Sequence, residues 1–166
     1  MKFTVKDNWL YEDNNPVEQH PSPNHGNEMV PRLIVIHYTA SSPDDAAAGD
    51  ISWLCKPQGK RSVSAHLVVR KDGSVVQLIP FNLVAWHAGE SEYEGERYVN
   101  RFSIGIENDG RGDYWPDAQI EANRAIIEAL FEVYPIQDVV GHEDVAPGRK
   151  PDPGPRYPWD KVVEYV

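Results

Sequence analysis

The feature that most restricts the fold is an uninterrupted apolar run, residues 33–36 (LIVI), which is followed directly by His37. A short continuous run rich in β-branched residues is typical of a strand that is buried on both faces of a sheet. Such a strand needs covering layers, so the run predicts an α/β domain with helices against its sheet. His37 then lies at the end of a buried strand.

The rest of the chain fits this interpretation. The dipeptide Asp72-Gly73 between two apolar runs predicts a tight hairpin, which makes the sheet mixed rather than purely parallel. The sequence therefore predicts a single α/β domain with a central mixed sheet of about five strands flanked by helices. The further strands are predicted at 63–71, 75–79, 102–108 and 138–142, and the helices at 43–55, 116–134 and as a final turn or two within 159–166.

The N-terminal part of the chain has a different character. Residues 11–31 carry four prolines and four asparagines with little periodicity, which is typical of an extended segment. We therefore expect residues 1–31 to form an extended arm that packs on a catalytic domain of residues 32–166. A length of 166 residues leaves room for one domain and little more.

Charge and composition exclude several functions. Sixteen Lys and Arg against 26 Asp and Glu give a net charge of −10, which disfavours binding to nucleic acid or to an anionic membrane. The single cysteine, Cys55, excludes an intrachain disulfide. Because no apolar run resembles a secretory signal or a membrane span, we expect a cytoplasmic protein.

Three side chains are candidates for a metal site at strand ends. His37 and His142 each follow a buried strand, and strand ends of an α/β sheet line a common crevice. Asp152 follows in a loop stiffened by prolines on either side. Two imidazoles and one carboxylate match a hydrolytic zinc site, which keeps a fourth position for water. Ordinary strand-end histidines and a turn-capping aspartate remain the alternative, and no HExxH motif is present.

Two further residues are candidates for catalysis. Glu107 ends the predicted strand SIGIE, where a buried charge is costly unless it is paired or used in catalysis. Beside a metal it could deprotonate a bound water. Lys150 precedes Asp152 by two residues, so in extended chain both face one side, and its cation could stabilise an oxyanion. The alternative for Lys150 is a solvated loop lysine.

Taken together, the motifs identify a family. The segments LIVIHYTA, VSAHLVVRKDG, AWHAGES, FSIGIEN and GHEDVAPGRKPDPGP occur in this order over nearly the whole chain. In these segments the chain resembles the zinc-dependent N-acetylmuramoyl-L-alanine amidases, a superfamily that includes phage amidase lysozymes and peptidoglycan recognition proteins. It is most similar to the AmpD-type amidases, which recycle anhydromuropeptides.

The resemblance implies roles for individual residues. It implies one Zn²⁺ per chain held by His37, His142 and Asp152, with Glu107 as general base and Lys150 stabilising the transition state. Phage-type members carry a catalytic Tyr where this chain has Ala65, so Glu107 is expected to do that work. The residues implied for the substrate groove are His66, Trp86, His87 and Asn108, with Arg97 or Arg101 pairing with stem-peptide carboxylates. The alternatives are a packing role in the core for Trp86 and a hydrogen bond that supports a site residue for His87.

The resemblance also implies a reaction. The expected activity is hydrolysis of the amide between N-acetylmuramic acid, or its 1,6-anhydro form, and L-alanine during cell-wall recycling. One alternative is a lytic, phage-type amidase on intact murein, released through a holin. Others are a muropeptide-binding module without catalysis and a zinc amidase for a non-murein amide. The expected partner is peptidoglycan or a muropeptide, bound by a monomer.

Overall fold

The computed structural model describes residues 1–41 and 47–163. Six strands precede the first helix of the described residues. The strands are β1 (Phe3–Lys6), β2 (Trp9–Glu12), β3 (Asn15–Pro16), β4 (Glu18–Gln19), β5 (His25–Glu28), β6 (Leu33–Tyr38), β7 (Leu67–Val69), β8 (Val75–Gln77), β9 (Leu83–Ala85), β10 (Glu92–Tyr93), β11 (Glu96–Arg97), β12 (Ser103–Asn108) and β13 (Asp138–Gly141). The helices are α1 (Ala47–Leu54), α2 (Asp117–Val133), α3 (His142–Val145) and α4 (Trp159–Val162), and 3-10 turns span Gly59–Arg61 and Val99–Phe102.

The centre of the fold is a six-stranded mixed sheet with the order β13-β6-β12-β7-β8-β4. The four strands β13, β6, β12 and β7 run parallel to one another. Strand β8 then pairs antiparallel with β7 in the predicted hairpin. The predicted α/β class and mixed sheet are confirmed. The sixth strand, β4, has only two residues and lies in the proline-rich N-terminal segment, so the sequence pattern does not predict it.

The apolar run at residues 33–36 is buried on both faces, as its composition predicts. Ile34 and Ile36 pack in a core cluster with residues of α2, whereas Leu33 and Val35 pack in a second cluster on the other face. The α2 face is the larger layer and includes Ile120, Ile126, Ile127 and Leu130. The second face is covered by residues of the 88–102 region, including Ala88, Val99 and Phe102.

Residues 1–31 are more structured than an extended arm. Strands β1, β2 and β3 form a small antiparallel sheet whose two turns place Asp7-Asn8 and Asp13-Asn14 at positive φ. Such turns suit Asp and Asn because their short polar side chains tolerate the left-handed region. Phe3, Leu10 and Val17 are buried in the same cluster as α2. The boundary at residue 31 stays a prediction.

Predicted helices and strands differ from the structure mainly at their ends. Helix α2 begins one residue later and ends one residue earlier than the predicted 116–134, and β7 covers only the centre of 63–71. The start signal at Ser42-Pro43 and the last residues, 164–166, lie outside the described residues. No helix within 1–41 and 47–163 combines the length and apolar character that crossing a bilayer requires.

Candidate active site

Two of the three candidate metal ligands lie at the ends of neighbouring parallel strands. His37 lies near the end of β6, and His142 follows β13, which pairs with β6 so that Gly141 is opposite Ile36. Both imidazoles therefore lie at the carboxyl edge of the sheet. The loop carrying Asp152 is tied to the same edge because the Glu143 N–H donates to the Asp152 carbonyl at 2.8 Å. A side chain at Gly141 would collide with Pro153, so this glycine lets the loop approach.

The three side chains converge on one point. The Nδ1 atoms of His37 and His142 are 3.0 Å apart, and Asp152 Oδ2 lies 3.1 Å from the first and 3.2 Å from the second. All three residues are buried. In a tetrahedral zinc site with bonds near 2.05 Å, neighbouring ligand atoms are separated by about 3.3 Å. The described residues thus include a set of donor atoms that could hold a metal ion.

Each imidazole has a hydrogen-bond partner at its other nitrogen. His37 Nε2 lies 2.9 Å from His87 Nδ1, and His142 Nε2 lies 3.0 Å from the Ala88 carbonyl oxygen. His87 Nε2 in turn lies 3.0 Å from Ser103 Oγ. Metal-binding histidines usually donate their second N–H to such a partner, which orients the ring and fixes its tautomer. This pattern supports metal binding through both Nδ1 atoms.

Burial and hydrogen bonding set the charge states that a metal site needs. Burial lowers the pKa of His37 to about 4, so its imidazole is neutral at pH 7. Burial would raise the pKa of Asp152, but its hydrogen bonds with His142 and His37 outweigh this effect and hold the pKa below its usual range. A neutral imidazole and an ionised carboxylate are the forms that bind metal.

Glu107 lies at the same edge of the sheet. In the parallel register of β12 and β6 it is opposite His37, and its Oε1 lies 3.9 Å from His37 Nδ1. Its Oε2 is buried and has no hydrogen-bond partner. Burial, together with the negative charges of Asp152 and Asp50, raises the pKa of Glu107 well above its ordinary value. A buried carboxylate oxygen without a partner, close to a metal ligand, fits a role as base toward a bound water.

Lys150 completes the arrangement. It lies on the rim of a cavity of about 380 Å³ that is also lined by His37, Glu107 and Asp152. Its side chain is exposed, while its backbone N–H donates to the Ala146 carbonyl at 3.0 Å. The structure thus brings all five predicted metal and catalytic residues to one cavity.

The predicted substrate-binding residues are divided between the cavity and the core. Trp86 and His87 line this cavity and a neighbouring one of about 530 Å³. His66 is fully buried: Nδ1 accepts from the Gly105 N–H, and Nε2 is hydrogen-bonded to the Leu83 carbonyl. It is therefore a residue of the core and not of the groove wall.

Asn108 and Arg97 also lie away from the cavity. Asn108 is fully buried and donates to the His37 carbonyl at 3.0 Å, so it supports the end of β6. Arg97 is 67% exposed, lies 4.0 Å from Glu90 and borders a separate depression of about 280 Å³. The alternation of side chains along β12 decides where Asn108 points, and the long segment before β12 decides where Arg97 lies. A sequence motif predicts neither position.

Other cavity residues were not found by sequence reasoning. Trp53 of α1 lines the smaller cavity, and Lys60, Arg61 and Asn100 line the larger one. For Lys60 and Arg61, the sequence signal is that two adjacent basic residues occur in a chain whose net charge is −10. Trp53 and Asn100 carry no recognisable pattern.

Comparisons with known proteins agree with this geometry. The profile of a family described as N-acetylmuramoyl-L-alanine amidase matches residues 27–155. The 1,6-anhydro-N-acetylmuramyl-L-alanine amidase AmpD of Escherichia coli K12 is 38% identical over 157 residues, which cover 84% of this chain and 86% of that protein.

Two solved structures are similar throughout the fold. The crystal structure of a selenomethionine AmpD derivative matches with a TM-score of 0.87 at 33% identity and covers 98% of both chains. The E. coli amidase AmiD, solved with the substrate anhydro-N-acetylmuramic acid-L-Ala-D-γ-Glu-L-Lys, matches with a TM-score of 0.71 at 31% identity and covers 98% of this chain and 65% of that one. The family resemblance seen in the sequence motifs is confirmed: this chain belongs to the N-acetylmuramoyl-L-alanine amidase family.

Proposed function

We propose that the protein is a zinc amidase that hydrolyses the amide bond between 1,6-anhydro-N-acetylmuramic acid and L-alanine in cell-wall recycling. The observation that carries this proposal is the convergence of His37, His142 and Asp152 beside the unpartnered carboxylate oxygen of Glu107. The similarity to AmpD, which extends over most of both chains, supports the choice of substrate.

The proposed cofactor is one zinc ion per chain, held by His37 Nδ1, His142 Nδ1 and Asp152 Oδ2. Two imidazoles and one carboxylate in buried positions form a donor set that suits zinc in a hydrolytic site. When bound, zinc would polarise the scissile carbonyl and lower the pKa of a water molecule to about 7.

Glu107 moves the proton. Its carboxylate accepts a proton from the attacking water as the oxygen forms a bond to the lactyl carbonyl carbon. The same carboxyl then gives this proton to the departing nitrogen of L-alanine, so that water is added across the cleaved amide. Burial raises the pKa of Glu107 well above its ordinary value, which makes it a stronger base than an exposed glutamate.

Lys150 stabilises the negative charge that develops on the carbonyl oxygen. Lys150 lines the cavity together with His37, Glu107 and Asp152, which supports this role. A positive charge placed where an oxyanion forms is more effective in a partly desolvated cavity than in water.

The cavity surface suits an anionic substrate. Lys60, Arg61, Arg149 and Lys150 line the larger cavity of a protein whose net charge is −10. Carboxylates of a stem peptide would meet this basic wall, in a cavity that Trp86 and the proposed ligand His142 also line. The pairing predicted for Arg97 is not part of this proposal because Arg97 borders a separate depression.

The recycling role implies a soluble muropeptide substrate, a monomer and a cytoplasmic location, without nucleic acid or membrane partners. The test is to incubate the zinc-loaded protein separately with anhydro-N-acetylmuramyl tripeptide and with intact sacculi, and to identify products by mass spectrometry. Peptide release from the soluble substrate alone is expected. Release from sacculi as well would favour a lytic enzyme, and no release from either would overturn the amidase proposal.

A matched pair of variants shows whether the metal site is responsible. Asp152→Ala removes a proposed ligand and should abolish both zinc binding and peptide release. Asp160→Ala removes an exposed carboxylate in α4 and should leave both unchanged. Full activity of Asp152→Ala would contradict the ligand assignment, whereas a bound zinc without turnover in the wild type would favour a muropeptide-binding module.

A further inference from the structure

One short segment, residues 86–89, supplies the hydrogen-bond acceptors for both imidazole ligands. His87 Nδ1 lies 2.9 Å from His37 Nε2, and the carbonyl oxygen of the next residue, Ala88, lies 3.0 Å from His142 Nε2. A neutral imidazole carries one N–H, so an acceptor beside Nε2 holds the proton there and leaves the Nδ1 lone pair for a metal. Two consecutive residues therefore select the tautomer of both ligands.

This segment is itself held by a side chain from another part of the chain. The Oδ1 atom of Asn100 accepts the backbone N–H of His87 at 3.2 Å and that of Ala88 at 2.9 Å. These are the two residues that contact the ligand imidazoles. Asn100 follows the αL residue Tyr98 in the 3-10 turn that leads into β12, so its position is set by the central sheet.

The space around His87 is also shaped for this contact. A Cβ atom at Gly105 in β12 would collide with the His87 ring, so the glycine admits the imidazole against the strand. Ser103 Oγ lies 3.0 Å from the distal His87 nitrogen and can accept its N–H, and in that tautomer Nδ1 is the acceptor for His37. The ring is thereby fixed in the orientation that His37 requires.

We propose that Asn100 is a positioning residue of the metal centre, which fixes the tautomers of His37 and His142 through the backbone of residues 87–88. The inference rests on the zinc site of the proposed function. Asn100 acts on two ligands through one oxygen atom. Loss of that oxygen leaves two N–H groups to find new partners at the border of the larger cavity, which Asn100 also lines.

The test compares Asn100→Ala, which removes the acceptor, with Asn100→Asp, which keeps an oxygen in its place. Zinc affinity is measured without substrate by competition with a chromophoric chelator. Outer partners of metal-binding histidines typically contribute 10- to 100-fold to affinity. We expect Asn100→Ala to lose about that factor and Asn100→Asp to recover most of it. In ¹⁵N spectra of the metal-free protein, where no metal determines which nitrogen carries the proton, the His37 and His142 tautomers should be single in the wild type and mixed in Asn100→Ala.

Gln77→Ala is the control for a general loss of stability. Gln77 is a fully buried amide that binds the backbone of Leu10, Asn8 and Ile79, away from residues 86–89. It should lower the unfolding midpoint and leave zinc affinity unchanged. If Asn100→Ala binds zinc as tightly as the wild type does, this inference is overturned and the proposed metal site still stands. Wild-type protein that binds no zinc would overturn the proposed metal site and this inference with it.

Discussion

Replacing Glu107 with glutamine separates the base from the metal site. The amide keeps the size of the side chain but cannot accept a proton from water. General base catalysis contributes about 10²- to 10⁴-fold, which corresponds to about 3–5 kcal/mol of activation free energy. Among the described residues, the donor atoms that could hold one metal ion belong to His37, His142 and Asp152, and Glu107 is not in this set. We expect kcat for peptide release to fall by this factor while zinc affinity stays within about twofold of the wild type.

The same substitution should raise the stability of the metal-free protein at neutral pH. Burial raises the pKa of Glu107 well above its ordinary 4.5 in the folded state. The stability contributed by such a group is fully present below pH 4.5 and is lost as pH rises through the folded-state value. Glu107→Gln avoids this loss, so it should exceed the wild type in unfolding free energy at pH 7 by about 1–3 kcal/mol. The gain should disappear below pH 4.5.

The assay is peptide release at saturating substrate, with zinc titration and urea unfolding in a chelator on the same preparations. Glu143→Gln is the control because Glu143 is adjacent to His142 in sequence but does not line the described cavities. It should behave like the wild type in kcat. A Glu107→Gln variant that keeps more than a tenth of the wild-type kcat would refute the role of Glu107 as base.

Two further predictions concern Lys150 and His66. Lys150→Met should lower kcat by about 10²- to 10³-fold without changing zinc affinity, and unchanged kcat in a steady-state assay would exclude an oxyanion role. Burial lowers the pKa of His66 to about 4 from 6.5, so the stability it contributes is present above pH 6.5 and is lost as pH falls. Between pH 7 and pH 5, the unfolding free energy of the metal-free protein, measured in urea, should fall by about 2 kcal/mol because of this residue. The His66→Asn variant should lack this part of the pH dependence. If the unfolding free energies of the wild type and of His66→Asn change equally with pH, the pKa of His66 is not lowered as stated.

The sequence predicts the part of the site that depends on strand ends. His37, Glu107 and His142 each follow an apolar run, and parallel strands bring such positions to one edge of the sheet. Asp152 is predictable because prolines enclose it in the loop after β13. The hairpin of β7 and β8 is predictable from Asp72-Gly73, since this dipeptide favours a tight turn.

The sequence does not predict which side chains face the cavity and which face the core. His66 and Asn108 look like groove residues by their motifs, but their polar atoms bind backbone groups inside the sheet layers. Asn100 has no motif of its own, because its role depends on a contact with residues 87–88 across a loop. Contacts between segments distant in sequence decide these cases, and local patterns do not carry that information.

The N-terminal segment shows the same limit. Its prolines favour extended chain, but Phe3 of β1, Leu10 of β2 and Val17, which follows β3, are buried in the same cluster as residues of α2. Each strand has only two to four residues, which is too short for a period of two to be evident. Tertiary packing therefore supplies the order that the local pattern does not.

In the proposed reaction, this protein cleaves the lactyl–alanine amide with water activated at the His37–His142–Asp152 site. The most direct measurement is mass spectrometry of the products formed from anhydro-N-acetylmuramyl tripeptide in H₂¹⁸O by the zinc-loaded protein. The expected products are free tripeptide without label and anhydro-N-acetylmuramic acid with one ¹⁸O in its lactyl carboxylate, since water adds to the acyl carbon. Label in the peptide, or an intact lactyl–alanine bond, would contradict the proposed reaction.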